Sequence, residues 1–202
     1  MKGYNKMNLY SFAKNLVYAL LKPIYRFEVI GVENFPKDKG VLLCPNHISL
    51  LDPPVVGINA PRPVHFMAKE ELFSTPIIGR LLPGLNAFPV KRGMSDREAL
   101  RKGLSILKEG KVLGIFPEGT RKGMEKNLKV KNGEAFFALK SKVRVIPLGI
   151  QGSFKPFTKV KLIYGEPLDF SEYYGKEKDK ETLDKVSNII MENIIMFTNT
   201  DK

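Results

Sequence analysis

The chain has 202 residues, 43% hydrophobic and 27% charged, a balance that excludes a disordered polymer and suits one compact domain with its own core. Its formal net charge is +12, divided as +14 over residues 1–171 and −2 over residues 172–202, so the basic excess calls for an acidic partner and lies away from the C-terminal tail. No run reaches the ~18–20 apolar residues of a spanning helix, and lysines interrupt the N-terminal apolar stretch, so neither a spanning helix nor a cleavable signal is expected.

Residues 7–25 predict an amphipathic helix. Leu9, Phe12, Leu16, Leu20 and Ile24 recur at three- and four-residue steps and share a face. Lys6, Lys14 and Lys22, with Lys2 and Arg26 at the ends, supply a basic complement, and Tyr4, Tyr10, Tyr18 and Tyr25 are rings suited to an interface. Two readings stand: a helix packed on the domain's own core, and a helix lying in the headgroup region of an anionic membrane.

Short apolar runs then alternate with helical patterns. Strands are expected at 27–32, 40–44, 63–67, 87–90, 112–116, 143–150 and 160–164. Cys44, the single cysteine, follows Val41, Leu42 and Leu43; it cannot close an internal disulfide and reads as a buried strand residue in a reducing compartment. Ser95-Asp96-Arg97-Glu98 reads as a capping box opening a helix with Leu100, Leu104 and Leu107 on one face, ended by Gly110. A second helix is expected over 133–140 and a last one over 177–198, using Leu183, Val186, Ile190, Ile194 and Phe197. The fold class is therefore α/β: a single domain with a mostly parallel or mixed sheet of about seven strands covered by helices, over residues 26–202. It follows an N-terminal membrane-surface helix over residues 1–25.

With two histidines in the chain, the choice of a general base is narrow. His47 follows an apolar strand in Asn46-His47-Ile48-Ser49-Leu50-Leu51-Asp52, ahead of Pro53-Pro54. Five residues on an ideal helix rotate ~500°, which would separate His47 from Asp52. A turn after the strand permits their pairing instead. Asp52 then accepts the Nδ1 proton and fixes the tautomer, leaving Nε2 to take a proton from an alcohol. This is the base and orienter of a hydrolase triad without its serine, so the nucleophile would be a substrate hydroxyl. The structural alternative makes Asp52 a helix N-cap before Pro53, and His47 an ordinary loop histidine. His65, inside a strand pattern, reads as structural.

A second cluster, Phe116-Pro117-Glu118-Gly119-Thr120-Arg121, also follows an apolar strand and forces a sharp exit. Arg121 can grip a phosphate with two parallel hydrogen bonds, and Glu118 can hold that arginine or a substrate hydroxyl. Arg92 and Lys69 each lie just past a strand, where they complete a phosphate site or remain solvated; Lys122, Lys126, Lys129 and Lys131 form a basic loop. Val145 to Ile150 is an apolar strand containing Pro147, a pattern usual at an edge or bulge, with core packing as the other reading. Zinc-ligand spacing, an RNP-like aromatic strand and a helix-turn-helix pattern are all lacking, so nucleic acid is the weakest of the acidic partners.

Taken in order, His47-x4-Asp52, Arg92, Phe116 to Arg121 and Val145 to Ile150 closely resemble the four blocks of the lysophosphatidic acid acyltransferase family, over roughly residues 25–165. Lys122 stands where the family usually has serine. The N-terminal helix is shorter than the two-helix anchor of some relatives. The resemblance implies an acceptor, 1-acyl-glycerol-3-phosphate, a donor that is an acyl thioester of coenzyme A or of acyl carrier protein, and phosphatidic acid as product. It implies catalysis by His47 and Asp52, and an acceptor site of Arg92, Glu118, Gly119, Arg121 and Lys69. No metal and no cofactor beyond the acyl donor is expected. The partners would be a lysophospholipid and an anionic membrane surface, with the protein peripheral or monotopic on its cytoplasmic face. The rival readings are a related acyltransferase using glycerol-3-phosphate or another lysolipid, and a non-catalytic basic protein binding membranes or nucleic acid.

Overall fold

The computed structural model describes residues 6–91, 96–119 and 132–198. Seven strands form one sheet: β1 (Arg26–Ile30), β2 (Val41–Pro45), β3 (Val64–Lys69), β4 (Ala87–Val90), β5 (Val112–Gly114), β6 (Arg144–Gly152) and β7 (Lys159–Tyr164). Their order is β1-β7-β6-β2-β5-β3-β4. Strands β2 to β6 run parallel, β7 is antiparallel to β6, and β1 pairs in parallel with β7, so the sheet is mixed. All seven strands lie where the apolar runs predict them, with ends differing by one or two residues.

The helices are α1 (Lys6–Leu21), α2 (Asp52–Asn59), the single turns α3 (Glu70–Phe73) and α4 (Ile78–Leu81), α5 (Arg97–Lys108), α6 (Gly133–Ser141) and α7 (Lys180–Thr198). They cover both faces, which is why β2 is buried at all five positions and reads as an unbroken apolar run. Val41 and Leu43 pack with Val55 and Val56 of α2 on one face. Leu42 and Cys44 pack with Ile106, Phe137 and Ile190 from α5, α6 and α7 on the other. Burial in that second core pushes the Cys44 thiol well above its ordinary pKa.

One local choice is settled and one expectation is corrected. Of the two readings of the Val145–Ile150 strand, which contains Pro147, core packing is borne out and the edge or bulge is not: β6 lies inside the sheet between β7 and β2. The proline is accommodated because it precedes the last pair of the β6–β7 ladder, Leu148 with Tyr164, so its missing N–H falls where the ladder stops. The cap of α5 is Asp96, whose side chain accepts from the amides of Glu98 and Ala99 at 3.1 and 3.0 Å. Ser95 itself lies outside the described residues. Gly110 ends that helix region with φ +74°, as expected.

α1 both packs on the domain and presents an apolar face outward. Its inward stripe is Tyr10, Ala13, Lys14, Val17 and Leu21, a helical repeat distinct from the one legible in the sequence. The Tyr10 hydroxyl donates to Gly57 O at 3.4 Å, and Lys14 Nζ donates to Ala60 O at 3.0 Å beyond the end of α2. Lys14 is thus turned inward rather than toward headgroups, and burial lowers its pKa. Phe12, Leu16 and Leu20, the stripe expected to be apolar, are exposed. No described helix is long and apolar enough to cross a membrane.

At the N-terminal end of the sheet the Arg62 guanidinium ties three loops together, donating to the carbonyls of Pro36, Lys39 and Gly110. In the second core, Ser187 donates to the buried Glu134 carboxyl at 2.5 Å. Burial, partly opposed by that hydrogen bond, raises the Glu134 pKa above the ordinary 4.5. A folded-state pKa raised above the unfolded one gives a stability contribution that is complete below about pH 4.5 and is lost as pH rises through the folded value. Glu134→Gln removes this titration. Urea unfolding between pH 4 and pH 8 should therefore show the variant gaining on the parent as pH rises; parallel curves would count against it.

Candidate active site

Strands β2 and β5 are hydrogen-bonded neighbours, and both end at the same end of the sheet. From there the chain passes from β2 to α2 on one face, and the next helix after β5, α6, lies on the other. This divergence opens a crevice at the carboxyl ends of the strands, the usual place for a site in such sheets.

The β2 exit is locked before it turns. The Asn46 side chain is buried; its Nδ2 donates to Ile150 O at 3.0 Å, and its Oδ1 accepts from Ile150 N at 2.6 Å. The amide thus stands in for one more strand residue beside β6. Residues 46–49 have no regular structure, so the chain can fold back on itself. Asp52 Oδ2 then accepts from His47 Nδ1 at 2.7 Å, from Ile48 N at 2.6 Å and from Ser49 N at 2.7 Å. Ser49 Oγ closes the turn by accepting from Leu51 N at 3.2 Å. Because an ionised carboxylate only accepts, the bonded Nδ1 carries the proton and Nε2 is left as the basic nitrogen.

Asp52 is not the cap of α2. The cap position is Leu51, which makes no side-chain cap bond, and Asp52 sits in the first turn with its carboxylate reaching back over the loop. Its side chain is 0% exposed, against 14% for His47. A negative charge in that turn is favoured by the helix dipole.

The imidazole is also held from its face. Its ring stacks on Phe116 with centroids 4.3 Å apart, and Phe116 stacks in turn on Phe66 at 5.8 Å. Gly114 makes room for this column: a Cβ there would lie 2.3 Å from Cε1 of Phe66. After Phe116 the chain makes a tight turn closed by Gly119 N donating to Phe116 O at 3.0 Å. Gly119 has φ +64°, so the backbone itself asks for glycine although the space around it is open. Glu118, buried in this turn, accepts from His47 N at 3.1 Å through Oε1. The two loops are therefore bonded to each other.

Among the residues expected to form the site, His47, Asp52 and Glu118 come together and Gly119 follows directly. Lys69 ends β3 at the same end of the sheet, exposed, at the cap position of α3. Arg92 and Arg121 lie outside the described residues, as do Lys122, Lys126, Lys129 and Lys131. His65 is turned to its neighbour strand, with Nδ1 3.1 Å from Val112 O and a pKa lowered by burial. Among the described residues no group of three or more His, Cys, Asp or Glu side chains is placed to hold a metal ion. Asn46 and the Phe66–Phe116 column were not singled out from the sequence. Only Gly114, a glycine inside an apolar strand, carried a signal of close approach.

Residues 26–151 match the acyltransferase family model. The chain belongs to the acyltransferase family. It is 34% identical over 180 residues to the 1-acyl-sn-glycerol-3-phosphate acyltransferase of Bacillus subtilis, covering 84% of this chain and 89% of that protein. The protein of the same name from Streptococcus pneumoniae is 29% identical over 193 residues, with 90% and 70% covered. Among solved structures, the 1-acyl-sn-glycerophosphate acyltransferase PlsC of Thermotoga maritima superimposes with a TM-score of 0.66 at 26% identity, over 98% of this chain and 81% of that one. The single α/β domain of this acyltransferase matches the fold of that structure.

Asn46 gives the site its test of rigidity. Asn46→Ala deprives the buried amide and carbonyl of Ile150 of their two protein partners, which costs about 2–6 kcal/mol at ~1–3 kcal/mol per lost partner. Urea unfolding should register that loss, and turnover at a temperature where the variant remains folded should fall as well.

Proposed function

We propose that this acyltransferase moves a fatty acyl group from an acyl thioester to the free hydroxyl of 1-acyl-glycerol-3-phosphate, giving phosphatidic acid. The observation that carries the reading is the buried Asp52 carboxylate on His47 Nδ1 at 2.7 Å, in a chain whose relatives are named for that acceptor. Nε2 of His47 takes the hydroxyl proton as the oxygen attacks the thioester carbonyl. The tetrahedral intermediate collapses, the C–S bond breaks, and the leaving thiolate recovers the proton from the imidazolium. Asp52 orients the ring and offsets its transient charge, so no acyl-enzyme is needed.

Glu118 acts through His47: by holding the amide of residue 47 it positions the loop that carries the base. Arg92, Arg121 and Lys69 would grip the acceptor phosphate, and the open backbone at Gly119 would let that group approach. The donor is coenzyme A or acyl carrier protein, both polyanionic and suited to a chain of net charge +12. The exposed stripe Phe12, Leu16 and Leu20 of α1 supports the reading of a peripheral or monotopic enzyme on an anionic membrane surface, on the cytoplasmic side.

The test is a donor-by-acceptor assay in liposomes, read by mass spectrometry. Phosphatidic acid should form fastest from 1-acyl-glycerol-3-phosphate, and preference for glycerol-3-phosphate or another lysolipid would reassign the acceptor. His47→Ala should lower kcat by about 10²–10⁴-fold with KM little changed, as for loss of a general base. Full turnover in His47→Ala would end the mechanism, and salt-sensitive DNA binding without acyl transfer would end the enzymatic reading.

A further inference from the structure

Between β6 and β7 the chain turns through Ser153-Phe154-Lys155-Pro156-Phe157-Thr158. Phe157 has φ +64°, a region that a bulky side chain rarely enters. Its side chain is also 79% exposed, the largest value among the described large apolar residues. A surface phenylalanine in ordinary extended backbone needs no explanation, whereas one held in the left-handed region by its surroundings does.

The surroundings are well defined. Phe157 N donates to Ile24 O at 2.7 Å, and Arg26 N donates to Thr158 O at 3.1 Å. The Tyr25 hydroxyl donates to Phe154 O at 3.3 Å, and the Tyr25 and Phe154 rings meet edge to face at 5.8 Å. Within the turn, Thr158 Oγ1 donates to Lys155 O at 2.6 Å. The turn is fastened to the segment that follows α1, and the Phe157 ring stands outward, where nothing among the described residues covers it.

Its neighbours indicate what does. Ile24, whose carbonyl accepts from the Phe157 amide, is exposed, as is Leu20 four residues earlier on the outward stripe of α1. Lys22, Arg26 and Lys155 are exposed too, and neither residues 20–27 nor residues 151–159 contain an acidic residue. β6 ends here and β7 begins, so the turn stands at the same end of the sheet as the His47 loop. In that loop Leu50 is 71% exposed, and Ile77, in the chain leaving β3 and α3, is 75% exposed. Apolar side chains thus protrude from separate loops around the crevice, with cations beside Phe157. A soluble acidic protein would be met by cations; a bilayer is met by this combination.

We infer that the β6–β7 turn is a second membrane anchor. Phe157 enters the headgroup region of an anionic bilayer beside Leu20 and Ile24, with Lys22, Arg26 and Lys155 at the lipid phosphates, so that the catalytic end of the sheet faces the lipid. This rests on α1 lying on the membrane surface, and it adds the orientation that one helix, free to roll, does not fix.

The chain has no tryptophan, so one introduced indole reports alone. Phe157→Trp and, separately, Leu16→Trp are titrated with phosphatidylglycerol–phosphatidylcholine vesicles carrying brominated acyl chains. Both should shift to the blue and be quenched about twofold or more, as rings at the headgroup level are. Quenching in Leu16→Trp alone overturns the second anchor and leaves α1 in place. Quenching in neither removes both. A response of Phe157→Trp to acyl carrier protein but not to vesicles also overturns the proposal, by assigning the turn to a protein. Phe157→Gly, which accepts φ +64° without strain, gives an independent reading. Its vesicle affinity in cosedimentation should fall about fivefold or more while its unfolding temperature is not lowered and turnover in detergent persists. Unchanged affinity would sink the idea.

Discussion

One oxygen of Asp52 takes hydrogen bonds from His47 Nδ1, Ile48 N and Ser49 N, all at 2.6–2.7 Å, in a place closed to solvent. Desolvating a carboxylate costs several kcal/mol, and bonds to a charged acceptor return about 1.5–3 kcal/mol each, so the arrangement stands only with all its donors in place. The loop's backbone and the base's tautomer are therefore fixed by the same atom. The described neighbours of the pair keep the carboxylate dry and the imidazole in place. The Phe116–Phe66 column closes one face of the ring, Glu118 holds the amide of the same residue, and α2 starts beneath.

The sheet explains why two distant segments meet. β2 and β5 are adjacent although 70 residues separate the starts of their ladder, Val41 and Val112 excluded. The helices between them are divided over the two faces, and the described loops that leave β2, β3 and β6 stand at the mouth of the crevice. Those loops carry the exposed apolar residues, while the opposite end of the sheet is drawn together by Arg62. The molecule has a chemical end and a fastened end.

The strands were legible in the sequence because both faces of the sheet are covered, and a doubly buried strand leaves an unbroken apolar run that little else imitates. The His47–Asp52 pair was legible as a possibility, since strand, turn and prolines permit it, and the family resemblance gave it a role. Other features were not legible, for physical reasons. The apolar stripe of α1 seen in the sequence is the outward one; the docking stripe contains Lys14 and Ala13, whose burial no hydropathy pattern announces. Pro147 points to a sheet edge by itself, and only the neighbouring strand's end point shows why it sits inside. Glu118 was read as holding Arg121 or a substrate hydroxyl; that one of its oxygens holds the His47 amide, 71 residues away in sequence, was not legible. Asn46 looked like part of the loop because a side chain that replaces a peptide has no period.

That last replacement bears on what the enzyme avoids. Where β2 departs, one residue before His47, the amide and carbonyl of Ile150 would otherwise call in a water molecule, as buried polar groups require a partner. Under the proposed mechanism, water close to His47 would be a rival nucleophile, and a thioester attacked by it would be wasted as free acid and thiol. The Asn46 amide occupies both positions with protein atoms. Under that mechanism, this one rung would remove a foothold for hydrolysis one residue from the proposed base.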